Sequence, residues 1–198
     1  MPISKQMALG CAIAVALAAP ALAQSGAWYA WSPKPDKLVP YGQNKPVTRL
    51  PAVLAKHKGQ ARWSEQVILT PRYDVKWIQA QPGDKSPTMY WGDDRIFWVV
   101  WGGQIRFTIE GQKPFVATKG FLVQVPQRVR YSMETVGSEP SLRFEVTHAN
   151  ILPLYSGDQP KPDDKAGNHY MKISTPTQPD KYTGDNRPYR DFFKEVVA

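Results

Sequence analysis

Cysteine is almost missing from this chain. The single one, Cys11, sits in an apolar N-terminal run. With that run removed, no disulfide, thiolate metal site or cysteine nucleophile can form. Histidine is scarce as well: His57, His148 and His169 are the whole supply. Few imidazoles are then left for a metal centre or an acid–base pair. No phosphate loop, nucleotide fingerprint or nucleophile elbow occurs, which removes the commonest signatures of phosphoryl transfer, dinucleotide chemistry and serine hydrolysis. Blocks of like charge are missing too. The net charge is +8, but the 25 basic residues are interleaved with 17 acidic ones. With no recognisable nucleic-acid motif, DNA or RNA is not an expected partner. There is no internal repeat and no low-complexity segment.

What is present begins with an export signal. Lys5 supplies the basic start, and Met7 to Ala19 is an apolar run of secretory length. Ala21-Leu22-Ala23 is a small-x-small cleavage site before Gln24. The run is too short for a transmembrane helix. Residues 1–23 are therefore expected to leave, giving a periplasmic or secreted protein with no stable membrane anchor.

Residues 24–64 read as an N-terminal arm and a short helix. Trp28, Tyr29 and Trp31 are followed by Pro33, Pro35, Pro40 and Pro46, a proline density expected to prevent regular structure. The aromatics imply packing on the chain's own barrel or on a partner subunit. Thr48 to Gly59 reads as a helix, with Pro51 in its first turn, basic residues in its last and Gly59 as its stop. His57 falls in that basic turn and is expected to be solvated.

Residues 65–153 change period. Tyr73, Val75 and Trp77 alternate with Asp74 and Lys76. Ile96 to Trp101 is a continuous apolar strand of the kind buried on both faces, punctuated by Gly102-Gly103. Ile105, Phe107 and Ile109 alternate with Gln104, Arg106 and Thr108, and Gly111 turns the chain again. Leu142, Phe144, Val146 and His148 share one strand face, opposite Arg143, Glu145 and Thr147. Many short strands with glycine turns indicate a closed all-β domain. After Pro153 the composition turns to Pro, Asp, Lys, Gly and Asn, so 154–198 reads as a long polar tail with a possible short terminal helix over Arg190 to Val197.

The stretch from Pro82 to Tyr131 resembles the central strands of a cupin. Pro82-Gly83 matches the turn that opens that family's first motif, and Ile96 to Gly102 its strand and closing glycine. Gly120-Phe121-Leu122-Val123-Gln124-Val125-Pro126 matches the first half of the second motif. The resemblance implies an all-β, cupin-like double-stranded β-helix, a jelly-roll barrel. It also implies metal-binding histidines, and here the sequence departs from the pattern. The two histidine positions of the first motif fall on Thr88 and Tyr90, or with a one-residue slip on Met89 and Trp91. The carboxylate position falls on Asp94, and Tyr131 stands where the second motif places its histidine.

No cofactor is therefore expected, with a transition metal on Asp94 and His148, aided by Tyr131, kept as the alternative. Aromatic and hydroxyl side chains in place of ligands make a pocket for a small organic molecule. Thr88, Tyr90, Trp91, Trp98, Arg130, Tyr131 and His148 are the candidate ligand-binding residues. Alternation allows only one of Trp98 and Trp101 to face inward. Arg106, Arg128 or Arg130 could clamp a ligand carboxylate if turned inward. The expected function is binding of a small, aromatic or carboxylated ligand. The alternative is a lyase, isomerase or dioxygenase using Tyr131 and His148. A homodimer built through the arm or the tail is a further expectation.

Overall fold

The computed structural model describes residues 29–37, 40, 44–164, 167–179, 182 and 187–195. The expected export signal lies outside them. Strand β1 covers Tyr29–Pro35, and helix α1 covers Leu50–Lys56. The barrel strands are β2 (Trp63–Leu69), β3 (Tyr73–Ala80), β4 (Met89–Tyr90), β5 (Ile96–Gly102), β6 (Gln104–Ile109) and β7 (Phe115–Ala117). They continue with β8 (Phe121–Val125), β9 (Tyr131–Val136) and β10 (Ser141–His148). The C-terminal segment adds β11 (Leu154–Ser156), β12 (Asn168–Ser174), β13 (Tyr189–Asp191) and a single helical turn, α2 (Phe192–Glu195).

These strands form two antiparallel sheets. The first runs β12-β1-β11-β4-β9-β6-β7 and the second β13-β8-β5-β10-β3-β2. From β3 to β11 the chain crosses between them almost strand by strand, the winding of a jelly roll. One tight point is the turn between β5 and β6, where the chain crosses from one sheet to the other. Gly103 has φ +67°, and a Cβ there would collide with the Pro140 carbonyl oxygen, so no other residue fits without moving that loop.

Alternation along β5 and β6 sorts their side chains. Ile96, Trp98 and Val100 are buried, as are Ile105, Phe107 and Ile109. With Val123, Val125, Val129, Tyr131 and Met133 they make one continuous core between β5, β6, β8 and β9. Trp98 is the inward tryptophan of its strand, whereas Trp101 is 48% exposed.

Both ends of the described chain form strands, the arm against the expectation that its prolines prevent regular structure. The proline-rich arm forms β1, paired over seven residues with β12. Alternation explains how. Tyr29, Trp31, Pro33 and Pro35 turn their peptide groups toward β11, yet β11 pairs only with Ala30 and Trp31. The missing N–H groups of Pro33 and Pro35 thus face a side where no strand asks for them. The expected polar tail supplies three strands, and β11 joins β4 to β1 within the first sheet.

Helix α1 starts after Arg49, which has extended backbone and makes no side-chain capping hydrogen bond. Pro51 sits in the first turn as expected. His57 is not solvated. Its ring stacks on Trp63 at 4.5 Å, and its two nitrogens lie 2.8 Å from Gln60 Oε1 and 3.0 Å from Glu65 Oε2. It fastens the helix end to β2.

Candidate functional site in the barrel interior

Residues directly opposite on neighbouring strands share a face. On the first sheet the register sets Ile109, Tyr131, Met89, Tyr155 and Trp31 in one row. On the second it sets Val123, Trp98, Glu145 and Lys76 in another. The Tyr131 and Trp98 rings meet at 5.2 Å, one from each sheet, so both rows face the barrel interior. Arg143, two residues before Glu145 and opposite Val100 and Ile78, lies on the same inner face.

Polar contacts organise this interior. The Trp91 indole donates to the Tyr131 hydroxyl oxygen at 3.0 Å, fully buried. The Trp98 indole donates to Glu145 Oε2 at 2.7 Å. Burial pushes the Tyr131 phenol far above its usual pKa, and the Glu145 charge adds to the shift. Tyr131 is therefore a neutral hydroxyl, not a phenolate. Lys76 is held by Asp74 at 2.7 Å. Burial also pulls the Arg143 guanidinium below its ordinary range, a shift that Glu145 opposes. Arginine nonetheless remains a cation at any physiological pH.

The candidate residues divide. Trp91, Trp98 and Tyr131 come together inside the barrel. The first-motif register is the slipped one: Met89 is paired with Tyr131, and Thr88 and Tyr90 point the other way. Tyr90 packs with Ala30 and Leu154 on the far face of its sheet and donates to the Thr175 carbonyl at 3.1 Å. The Thr88 backbone is gripped by Gln159, which takes its N–H at 3.2 Å and donates to its carbonyl at 2.9 Å. Asp94 sits in an exposed bend and accepts from the Arg95 N–H.

Arg130 is engaged rather than free. It pairs with Glu110 at 2.6 Å and with Asp158 at 3.3 Å. Arg106 pairs outward with Glu134, and Arg128 donates to the Gly92 carbonyl.

The largest reversal concerns β10. Phe144 meets Trp77 at 4.9 Å, and Trp77 meets the exposed Trp101 at 6.2 Å, so the apolar face of β10 is the outer one. His148 belongs to that face, opposite Tyr73 on β3, and its Nδ1 lies 3.0 Å from the Ala149 carbonyl. It cannot act with Tyr131, which is on the other side of the sheet. The residues that face inward from β10 are Arg143 and Glu145. The alternation was visible, but period two left open which of the two faces is inside.

The same geometry tests the metal that the cupin resemblance implies. Met89, Trp91 and Tyr131 offer a thioether, an indole N–H and a neutral phenol, which do not fit the imidazole and carboxylate set of such sites. Among the described residues, no group of three or more His, Cys, Asp or Glu side chains is placed to hold a metal ion.

The interior also opens to a cavity of about 210 Å³ at the Arg143 end, walled by Ala80, Asp84, Lys85, Ile105, Met133 and Thr135. A larger concavity of about 620 Å³ lies outside the barrel, between α1 and β2.

No family model matches the chain, and no curated protein matches it. Similar solved structures are double-stranded β-helix proteins. A cupin family protein from Methanocaldococcus jannaschii is 19% identical, with a TM-score of 0.44 over 55% of this chain and 94% of that one. A conserved protein with a double-stranded β-helix domain from Klebsiella pneumoniae is 12% identical, with a TM-score of 0.49 over 60% of this chain and 98% of that one. A cupin superfamily protein from Desulfitobacterium hafniense is 14% identical, with a TM-score of 0.42 over 58% of this chain and 99% of that one. None of these likenesses bears on chemistry.

Proposed function

We propose that this chain is an exported cupin-like protein that binds a small organic molecule inside its barrel without a metal. One observation carries the reading. The inward row Trp98–Glu145–Lys76 of one sheet faces the inward row Tyr131–Met89–Tyr155–Trp31 of the other. Trp98 and Tyr131 belong to the filled apolar core, with Met89 packed against it, and beyond them the rows continue into Glu145, Lys76, Tyr155 and Trp31. Apolar walls with a few oriented polar groups are what a small-molecule site requires. Export rests on Lys5, the apolar run and Ala21-Leu22-Ala23.

Two measurements test the proposal together. Protein recovered from the periplasm of its expression host is denatured and its supernatant searched by mass spectrometry for a stoichiometric small molecule. The indole N–H resonances of Trp91 and Trp98 are then followed as that molecule is returned to refolded protein. A ligand in the barrel shifts these two signals and leaves Trp101, on the outer face, unchanged. A molecule that moves only Trp101, or no molecule at all, defeats the reading.

A further inference from the structure

We infer that the ligand is a small carboxylic acid and that Arg143 holds its carboxylate. The inference rests on the barrel-binding reading and adds the ligand class. Arg143 has only 13% of its side chain exposed, and its buried Nε has no hydrogen-bond partner among the described residues. A buried donor left without a hydrogen bond is costly, and native structures rarely keep one without a role. Glu145 meets it only as a long ion pair. Glu145 Oε2 is 3.8 Å from Nε, beyond hydrogen-bond distance, and that oxygen already accepts from the Trp98 indole at 2.7 Å.

The cavity beside Arg143 has a matching electrostatic character. Both acids on its wall are engaged elsewhere. Asp84 is held by the Arg62 fork at 2.7 and 2.9 Å and accepts the Gln81 N–H at 2.8 Å. Glu134 pairs with Arg106 at 3.2 Å. The wall hydroxyls are engaged too: Ser86 accepts from the Met133 N–H, and Thr135 bonds Ser141 at 2.7 Å. Lys85, also on the wall, has no ion-pair partner among the described residues. What the cavity leaves for a guest is therefore cationic: a guanidinium fork and an ammonium. A planar carboxylate matches that fork, with its two oxygens able to take two parallel N–H bonds. Ile105 and Met133 supply the apolar wall for the rest of the molecule.

The test uses matched acid and amide pairs, acetate with acetamide and benzoate with benzamide, with inorganic phosphate as a third class. Binding is measured by calorimetry, and location by the Trp91 and Trp98 indole signals. Each acid is expected to bind at least ten-fold tighter than its amide. Arg143→Lys and Arg143→Met are each expected to lose at least ten-fold of the acid affinity with amide affinity unchanged, in protein whose urea midpoint shows that it is folded. Amides that bind as well as acids overturn the inference while leaving the barrel-binding reading intact. So does a folded Arg143→Lys that keeps the acid affinity, or phosphate that binds as tightly as either acid. If no member of the panel moves the two indoles, the inference fails. If, in addition, no molecule is released from the periplasmic protein, the barrel-binding reading fails with it.

Discussion

Trp98 and Tyr131 meet inside the barrel, with ring centroids 5.2 Å apart and planes at 65°, one ring from each sheet. Each is also anchored at its polar end, Trp98 on Glu145 and Tyr131 on Trp91. With the Trp98–Phe107 contact at 5.3 Å, this contact ties the two sheets together and shows which faces are inside. Trp98→Ala should cost about 3–5 kcal/mol, the range for removing a large buried aromatic. Trp98→Phe should cost less but leave Glu145 without its indole donor. Urea denaturation of both variants measures the difference; a midpoint unchanged in Trp98→Ala would mean the two sheets are held together elsewhere.

The Trp91–Tyr131 hydrogen bond is buried and has no solvent substitute. Tyr131→Phe should destabilise the fold by about 1–3 kcal/mol, because the indole N–H is left unsatisfied. The Trp91 indole resonance should move upfield in the same variant. A signal that stays in place would show that the bond is absent in solution.

Alkaline stability follows from the buried phenols. Burial raises the pKa of Tyr131, Tyr90, Tyr155 and Tyr182 in the folded state. Below the ordinary tyrosine pKa of about 10, both states keep their protons and the contribution is fully present. Above it the unfolded chain releases protons that the folded one retains, so stability falls by up to about 1.4 kcal/mol per pH unit for each such phenol. Urea midpoints between pH 8 and 11 should bend downward near pH 10. The bend should be shallower in Tyr131→Phe.

His57 tests the attachment of the helix. It stacks on Trp63 and reaches Glu65, which Lys56 also contacts at 2.6 Å. His57→Ala should cost about 1 kcal/mol, from a lost ring contact and a hydrogen bond. Hydrogen exchange in 50–56 should accelerate while the barrel core stays protected. Equal acceleration throughout would contradict a local role.

Metal content gives the last check. Protein purified without a metal-binding tag should carry no stoichiometric transition metal, and chelator should leave its melting temperature unchanged. A stoichiometric metal by elemental analysis would mean that the donors argued against here do converge.

Much of the barrel was legible in the residues. The alternation of β6, the apolar run of β5, the Gly102-Gly103 turn and the Gly120 to Pro126 motif each report local backbone needs, and local needs are written along the chain. The inward trio Met89, Trp91 and Tyr131 was one of two registers the motif allowed. What was not legible is how strands are covered. Period two separates the faces of β10 but does not say which is inside. Arg143 and Glu145 look like a solvated face until Phe144 is seen beside Trp77, which in turn meets the exposed Trp101. The arm and tail show the same limit: prolines forbid hydrogen bonds on one side only, and whether that side is needed depends on where β11 ends.

The all-β character, the turn positions and the departure from the cupin histidine pattern can be read along the chain, because they depend on residue type and near neighbours. The tertiary structure alone decided that Arg143 and Glu145 line the interior and that His148 does not. It also decided that β1, β11 and β12 complete the first sheet while β13 edges the second. Each of these depends on strands distant in sequence, whose pairing sets the face that is buried.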